Sequence, residues 1–203
     1  MRKFSWLPMV LFLISVLASP CYGETAPDLV VTEALNALKE MDLETALRYF
    51  RDADPTGEFP LEDFSEVEPT ELDVEYWRML FENLEFNVLS TSTLADGQEA
   101  IVRTEITNLD LQRILQVYVD QVMTLYMEAF FSGQAEPTEE ELQHLFLGLL
   151  RDYDGKKRTA TVDIRLEMED GDWFIWADEA LLDAIFGGML SFYREQFIFF
   201  EEF

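Results

Sequence analysis

The chain is 203 residues long, 49% apolar and 14% aromatic, with 41 Asp and Glu against 14 Lys and Arg and a formal charge of −27. That length fits one compact domain, and the apolar content excludes intrinsic disorder. So acidic a chain argues against a nucleic-acid partner, and one Cys with one His cannot build a zinc ribbon, a disulfide framework or a Cys/His nucleophile pair within the chain.

Arg2 and Lys3 precede an apolar run from Trp6 to Ala18 broken by Pro8 and Ser15, and Ser19, Pro20, Cys21, Tyr22 and Gly23 follow. This is the layout of an export signal over residues 1–23, with small residues at Cys21 and Gly23 placing cleavage before Glu24. As a helix the run would rise only about 20 Å against a hydrocarbon core of about 30 Å, so no transmembrane span is expected after cleavage. The alternative is lipoprotein processing, with Leu17-Ala18-Ser19-Pro20-Cys21 as the lipobox and a lipid anchor on Cys21, although Pro20 fits that motif poorly. Either route makes residues 24–203 an extracytoplasmic domain, secreted or cell-surface. Loss of Arg2 and Lys3, with no acid in residues 1–23, deepens its charge from −27 to −29.

Val31, Ala34, Leu35, Leu38 and Met41 mark one face of a first helix. Asp42 caps a second, with Leu43, Ala46, Leu47 and Phe50 as its apolar face, and the two are expected to pack as short antiparallel helices. Residues 52–75 hold ten acids, three prolines and no Lys or Arg, so Asp52 to Thr70 reads as the irregular part of an acidic loop over residues 51–72, with Phe59 and Phe64 as anchors. Within it Asp52, Asp54, Thr56, Glu58 and Asp63 carry oxygens in calcium-loop order around Gly57. Pro55 and Pro60 stiffen that loop, Asp63 is shorter than the Glu expected at its end, and no amphipathic helix starts directly after it. The competing reading is a surface loop whose Asp and Gly residues make turns; no other cofactor is expected.

Asp73 then caps a helix with Trp77, Leu80, Phe81 and Leu84 on one face, and Phe86–Thr93 and Glu99–Thr107 read as a hairpin around Asp96-Gly97. Leu111, Leu115, Tyr118, Val122, Leu125, Tyr126 and Ala129 recur at helical spacing up to Gly133. Thr138 and Glu141 form a capping box for an answering helix, whose buried stripe is Leu142, Leu145, Phe146, Leu149 and Tyr153. His144 falls off that stripe, beside Glu140 and Glu141, and reads as a surface residue. Ala160, Val162, Ile164, Leu166 and Met168 alternate with polar residues as a half-buried strand; Asp170-Gly171 turns it into Trp173–Trp176, and Asp178 caps a helix through Leu181, Leu182 and Ile185 toward Gly187-Gly188. The tail from Met189 to Phe203 is too aromatic for a frayed end and is expected to pack on protein.

This order of elements resembles the nuclear transport factor 2-like superfamily from Asp28 to about Leu190. The likeness is carried by Leu38-Lys39-Glu40-Met41-Asp42-Leu43-Glu44-Thr45-Ala46 and Met168-Glu169-Asp170-Gly171-Asp172-Trp173-Phe174-Ile175. The resemblance implies a single α+β domain over residues 24–203: a cone-shaped, curved antiparallel sheet packed on N-terminal helices, with an inserted helical hairpin and a C-terminal helix. With its export signal the chain is similar to the uncharacterised secreted or lipoprotein branch of Gram-positive bacteria, which has no agreed activity. Enzymes of the superfamily use an Asp or His inside the cone, and no motif here aligns with theirs, so no catalytic residue is carried over.

Asp163, Arg165 and Glu167, with Arg103 and Glu105, lie on polar strand faces and read as cross-strand ion pairs; an acid–base enzyme would need Asp163 or Glu105 in a concave pocket. Tyr126, Trp173, Phe174 and Trp176 are candidates to line an apolar ligand pocket, against core packing as the competing reading. Phe197, Phe199 and Phe200 are candidates for partner contact. The expectation is a non-enzymatic domain that binds a protein or cell-envelope component through its acidic face and aromatic tail, the tail also offering a route to a homo-oligomer. The alternative is a small-molecule carrier or sensor using the cone interior.

Overall fold

The computed structural model describes residues 25–52, 71–95 and 97–201. Helix α1 (Pro27–Lys39) starts on a proline whose fixed φ suits the first turn, and it ends with Lys39 at the negative end of the helix dipole. It buries Val30, Val31, Ala34, Leu35, Ala37 and Leu38. Met41, expected on the same face, lies past the helix at φ +61°, where the chain turns toward α2 (Leu43–Tyr49). Asp42 caps α2 as expected, accepting the Thr45 N–H at 3.0 Å.

Of the apolar face expected for α2, Ala46 is buried, Leu43 and Leu47 are exposed, and Phe50 has left the helix to open a strand, β1 (Phe50–Asp52). This strand takes the first residues of the expected acidic loop. Three residues carry too little alternation to be read from sequence, and β1 exists because Phe50 to Asp52 pair in parallel with Ile175 to Ala177. At the loop's other end α3 (Glu71–Glu82) starts two residues before Asp73, which therefore sits in the first turn instead of capping it. Leu80, Phe81 and Leu84 are buried there, and Trp77 stacks on Phe81 at 5.7 Å between centroids.

Strands β2 (Glu85–Thr93) and β3 (Glu99–Leu109) form the expected hairpin, with an irregularity between Val88 and Ser90. The second hairpin joins β4 (Lys157–Glu169) to β5 (Asp172–Ala177). Asp170 and Gly171 both have positive φ, as a tight two-residue turn between right-twisted strands requires. The sheet order is β1-β5-β4-β3-β2. Since β1 runs parallel to β5, the sheet is mixed, and the wholly antiparallel expectation is corrected.

Alternation divides the sheet. Ala100, Val102, Ile106, Val162, Ile164, Leu166, Trp173 and Ile175 are buried beneath α1, α3 and α6 (Glu179–Ile185), while Arg103, Asp163 and Arg165 face water. Asp178 caps α6 by accepting the Leu181 N–H at 2.8 Å. Gly187, at φ +56°, follows; a Cβ there would stand 1.9 Å from the Leu109 carbonyl oxygen, so glycine is what lets this corner lie on the end of β3. Buried Asn108 reinforces the contact, donating Nδ2–H to the Ile185 carbonyl at 2.7 Å. The tail then forms α7 (Met189–Glu201), which buries Leu190 and Phe192 and packs on α4 (Leu111–Ser132) and α6.

The hairpin of α4 and α5 (Glu139–Arg151) packs on α3 and α7. Both elements of the capping box are formed: the Glu141 N–H meets Thr138 Oγ1 at 3.2 Å and the Thr138 N–H meets Glu141 Oε2 at 2.8 Å. The fully buried residues of α5 are Leu147 and Leu150, whereas the expected stripe of Leu142, Leu145, Phe146, Leu149 and Tyr153 is half-buried. Helix α5 is covered by α3 as well as α4, and its buried line runs between the two contacts.

Candidate functional site

Helix α4 has 22 residues against 13 in α5, or about 33 Å against about 20 Å of helix. Its first turns belong to the core through Leu111, Ile114 and Leu115, and further along Tyr118 meets Phe146 edge to face at 5.2 Å. This is the expected inward stripe, but Leu125 and Tyr126 at its far end are exposed. A second stripe at the same spacing, Val119, Met123, Met127 and the Phe130-Phe131 pair, faces water. Phe130 is 80% exposed, Phe131 76%, Met123 58% and Met127 50%. Along it Met123, Met127, Phe131 and Gln134, with the polar edges of Thr124, Glu128 and Ser132, form a shallow open surface. Isolated exposed apolar residues are ordinary, whereas a contiguous exposed set calls for its own explanation.

The electrostatics of the hairpin are one-sided. Residues 114–150 include Asp120, Glu128, Glu136, Glu139, Glu140 and Glu141 and no Lys or Arg. Hydrogen bonds from the Thr138 backbone and hydroxyl hold the Glu141 carboxyl below the usual glutamate value, so it stays ionised. His144 is exposed, with Nε2 3.8 Å from Glu140, as expected of a surface histidine. The outward stripe had a sequence signal: α4 is apolar on nearly all sides, which in a helix at a domain's edge means a missing neighbour.

The predicted aromatic pocket residues are not brought together. Trp173 is buried in the core, while Phe174 and Trp176 alternate to the opposite face of the sheet. There the Arg51 guanidinium lies 3.7 Å over the Phe174 ring and Trp176 Nε1 donates to Glu167 at 3.0 Å. Tyr126 is on α4, at the edge of the exposed face. Phe197, Phe199 and Phe200 fall within α7, their side chains outside the described residues. Asp52 ends β1, and Asp54, Thr56, Glu58 and Asp63 of the calcium-loop candidate lie outside the described residues. Among the described residues no group of three His, Cys, Asp or Glu converges as metal ligands.

Asp163 is exposed and 3.7 Å from Arg103, and Arg165 reaches Glu99 at 3.2 Å, which is the expected solvated lattice of cross-strand pairs on the face away from the core. The best-built polar cluster was not legible in the sequence. Arg158 donates to Gln112 and reaches Asp183 at 3.5 Å, and Asp183 accepts both the N–H and the hydroxyl of Ser191 at 2.8 Å. Its carboxylate caps α7 and its arginine ties α4 to β4, so the cluster is a joint that sets the helical layer on the sheet. Tyr76, whose hydroxyl points at Met189 Sδ 3.8 Å away, is pushed up in pKa by burial and stays neutral.

No described helix is long and apolar enough to cross a membrane. The sequence matches no protein-family model and no curated protein, and no solved structure matches.

Proposed function

We propose that the chain is an extracytoplasmic, non-enzymatic interaction domain that binds a protein or cell-envelope component through the outer face of α4. The observation that carries this is the run of Met123, Met127, Phe130 and Phe131 in water on a helix whose first turns are anchored in the core by Leu111, Ile114 and Leu115. It adds the inserted hairpin to the aromatic tail as a contact surface: Leu190 and Phe192 of the tail are buried, and the side chains of Phe197, Phe199 and Phe200 lie outside the described residues. Support for a non-enzymatic role comes from Asp163, which is exposed beside Arg103, and from Asp183, which is part-buried and engaged in capping α7. The inner sheet face, where a carrier would hold a ligand, is occupied by close-packed side chains. The export-signal layout of residues 1–23 supports action outside the cytoplasm, free or lipid-anchored at Cys21.

The fold is read as the cone of the nuclear transport factor 2-like superfamily. Three features support it: the helix break at Met41-Asp42, helices on one face of the sheet, and the short β1 that joins the first two helices to β5.

The test is native and denaturing mass spectrometry of the protein purified from the cells that make it, alongside a Phe130→Ser/Phe131→Ser variant. A partner-bound native mass that the variant loses is expected. A small added mass retained by both would replace the interaction reading with the carrier reading, and identical partner-bound spectra would move the contact off α4. A denatured mass starting at Glu24 distinguishes free secretion from a lipidated chain starting at Cys21.

A further inference from the structure

We infer that the partner of the α4 face is a cationic amphipathic helix of about three turns, which lays its apolar side along the exposed stripe and its Lys or Arg residues against the nearby carboxylates. The inference rests on the interaction reading above and adds the chemistry of the occupant. The stripe from Val119 to Phe131 spans 13 residues, about 18 Å of helix, which is the length that a partner of about 12 residues covers. Its thioethers are flexible and polarisable, so Met123 and Met127 adapt to whichever aliphatic side chains arrive, while Phe130 and Phe131 supply area.

Charge selects among occupants. The carboxylates nearest in sequence to the stripe are Asp120, Glu128 and Glu136, and among the described residues none of them meets a Lys or Arg. Of the two flanking cations, Arg151 is already paired with Glu75 at 2.6 Å, on the side of α5 that faces α3, and Arg113 stands in the first turn of α4, six residues before the stripe begins at Val119. A second copy would bring the same carboxylates together between chains of charge −27. An anionic bilayer would be repelled as well, and the face lacks the basic residues with which interfacial helices hold lipid headgroups. A cationic amphipathic segment is the occupant that satisfies the apolar stripe and its rim at once.

The test uses a synthetic leucine–lysine peptide of about 14 residues with one apolar face. It is titrated calorimetrically into the protein beside a peptide with Glu in place of Lys and one with Ser in place of Leu. The expected result is micromolar binding of the leucine–lysine peptide, weakened at least about tenfold between about 50 mM and about 500 mM salt. The two control peptides and the Phe130→Ser/Phe131→Ser variant, whose charge is unchanged, should each bind at least about tenfold more weakly. Equal binding of the Lys and Glu peptides, lost in the Phe variant, would overturn the cationic partner and leave the interaction face standing. Equal binding of the leucine–lysine peptide to wild type and variant would remove the face itself. A dimeric native mass that the Phe variant converts to monomer, or capture by phosphatidylcholine vesicles with no peptide bound, would assign the face to a second copy or to a membrane and overturn the inference.

Discussion

Gly187→Ala tests how the helical layer that carries the exposed face is fixed to the sheet. The residue has φ +56°, and a Cβ would stand 1.9 Å from the Leu109 carbonyl oxygen, a separation that must open to at least 3.0 Å. The left-handed backbone costs a non-glycine residue about 1 kcal/mol, and forcing the corner off β3 adds about 1–3 kcal/mol of overpacking. The movement also strains the Gln112 N–H to Gly187 carbonyl bond at 3.3 Å and the neighbouring Asn108 to Ile185 bond, each worth about 1 kcal/mol. The expected loss is about 3–5 kcal/mol, a large share of an ordinary domain's stability, and it should lower Tm by about 10 °C. Gly133→Ala is the control: φ is +68° with nothing within 4 Å of its Cβ, so the loss should be about 1 kcal/mol. Urea unfolding of both variants by circular dichroism measures the difference. Equal losses at the two glycines would refute the reasoning, because backbone conformation alone would then account for both.

Phe130→Ser/Phe131→Ser should leave the unfolding free energy from urea titration within about 1 kcal/mol of wild type, since both rings are mostly exposed; Leu84→Ala, fully buried, should cost about 2–5 kcal/mol. A large loss in the double variant would mean that the face is covered within the chain. Asp183→Ala removes the cap of Ser191 and the partner of half-buried Arg158, and should cost about 2–3 kcal/mol in the same assay; an unchanged midpoint would show that the joint is not needed. The carboxyls of Glu141 and Glu85 are lowered from the ordinary glutamate value of 4.5 by hydrogen bonds from Thr138 and Lys157. Their contribution is therefore complete above that value and disappears as pH falls through the lower folded-state values. Stability measured from pH 6 downward should fall less in Glu141→Gln than in wild type, and parallel curves would count against the cap.

The local elements were legible wherever a short-range rule acts alone. Asp42, Asp178 and the Thr138–Glu141 box cap helices because their oxygens reach N–H groups three residues away. Asp170-Gly171 turns a hairpin because the turn needs positive φ at both residues. The inward stripe on α4 was read from its spacing, whereas the outward one was missed, because its meaning waits on knowing which side is covered.

The sequence by itself determined an acidic α+β domain, three of its helix caps and its two hairpins, all of which follow from composition and from contacts a few residues apart. Tertiary structure alone decided that Phe50 to Asp52 form a parallel strand, because their partners stand at Ile175 to Ala177. It also split Trp173 from Phe174 and Trp176 across the sheet, gathered Gln112, Arg158, Asp183 and Ser191 into one joint, and left Met123, Met127, Phe130 and Phe131 uncovered. Pairing and burial depend on partners distant along the chain, and a periodic pattern names the face that wants a neighbour without saying whether the chain supplies one.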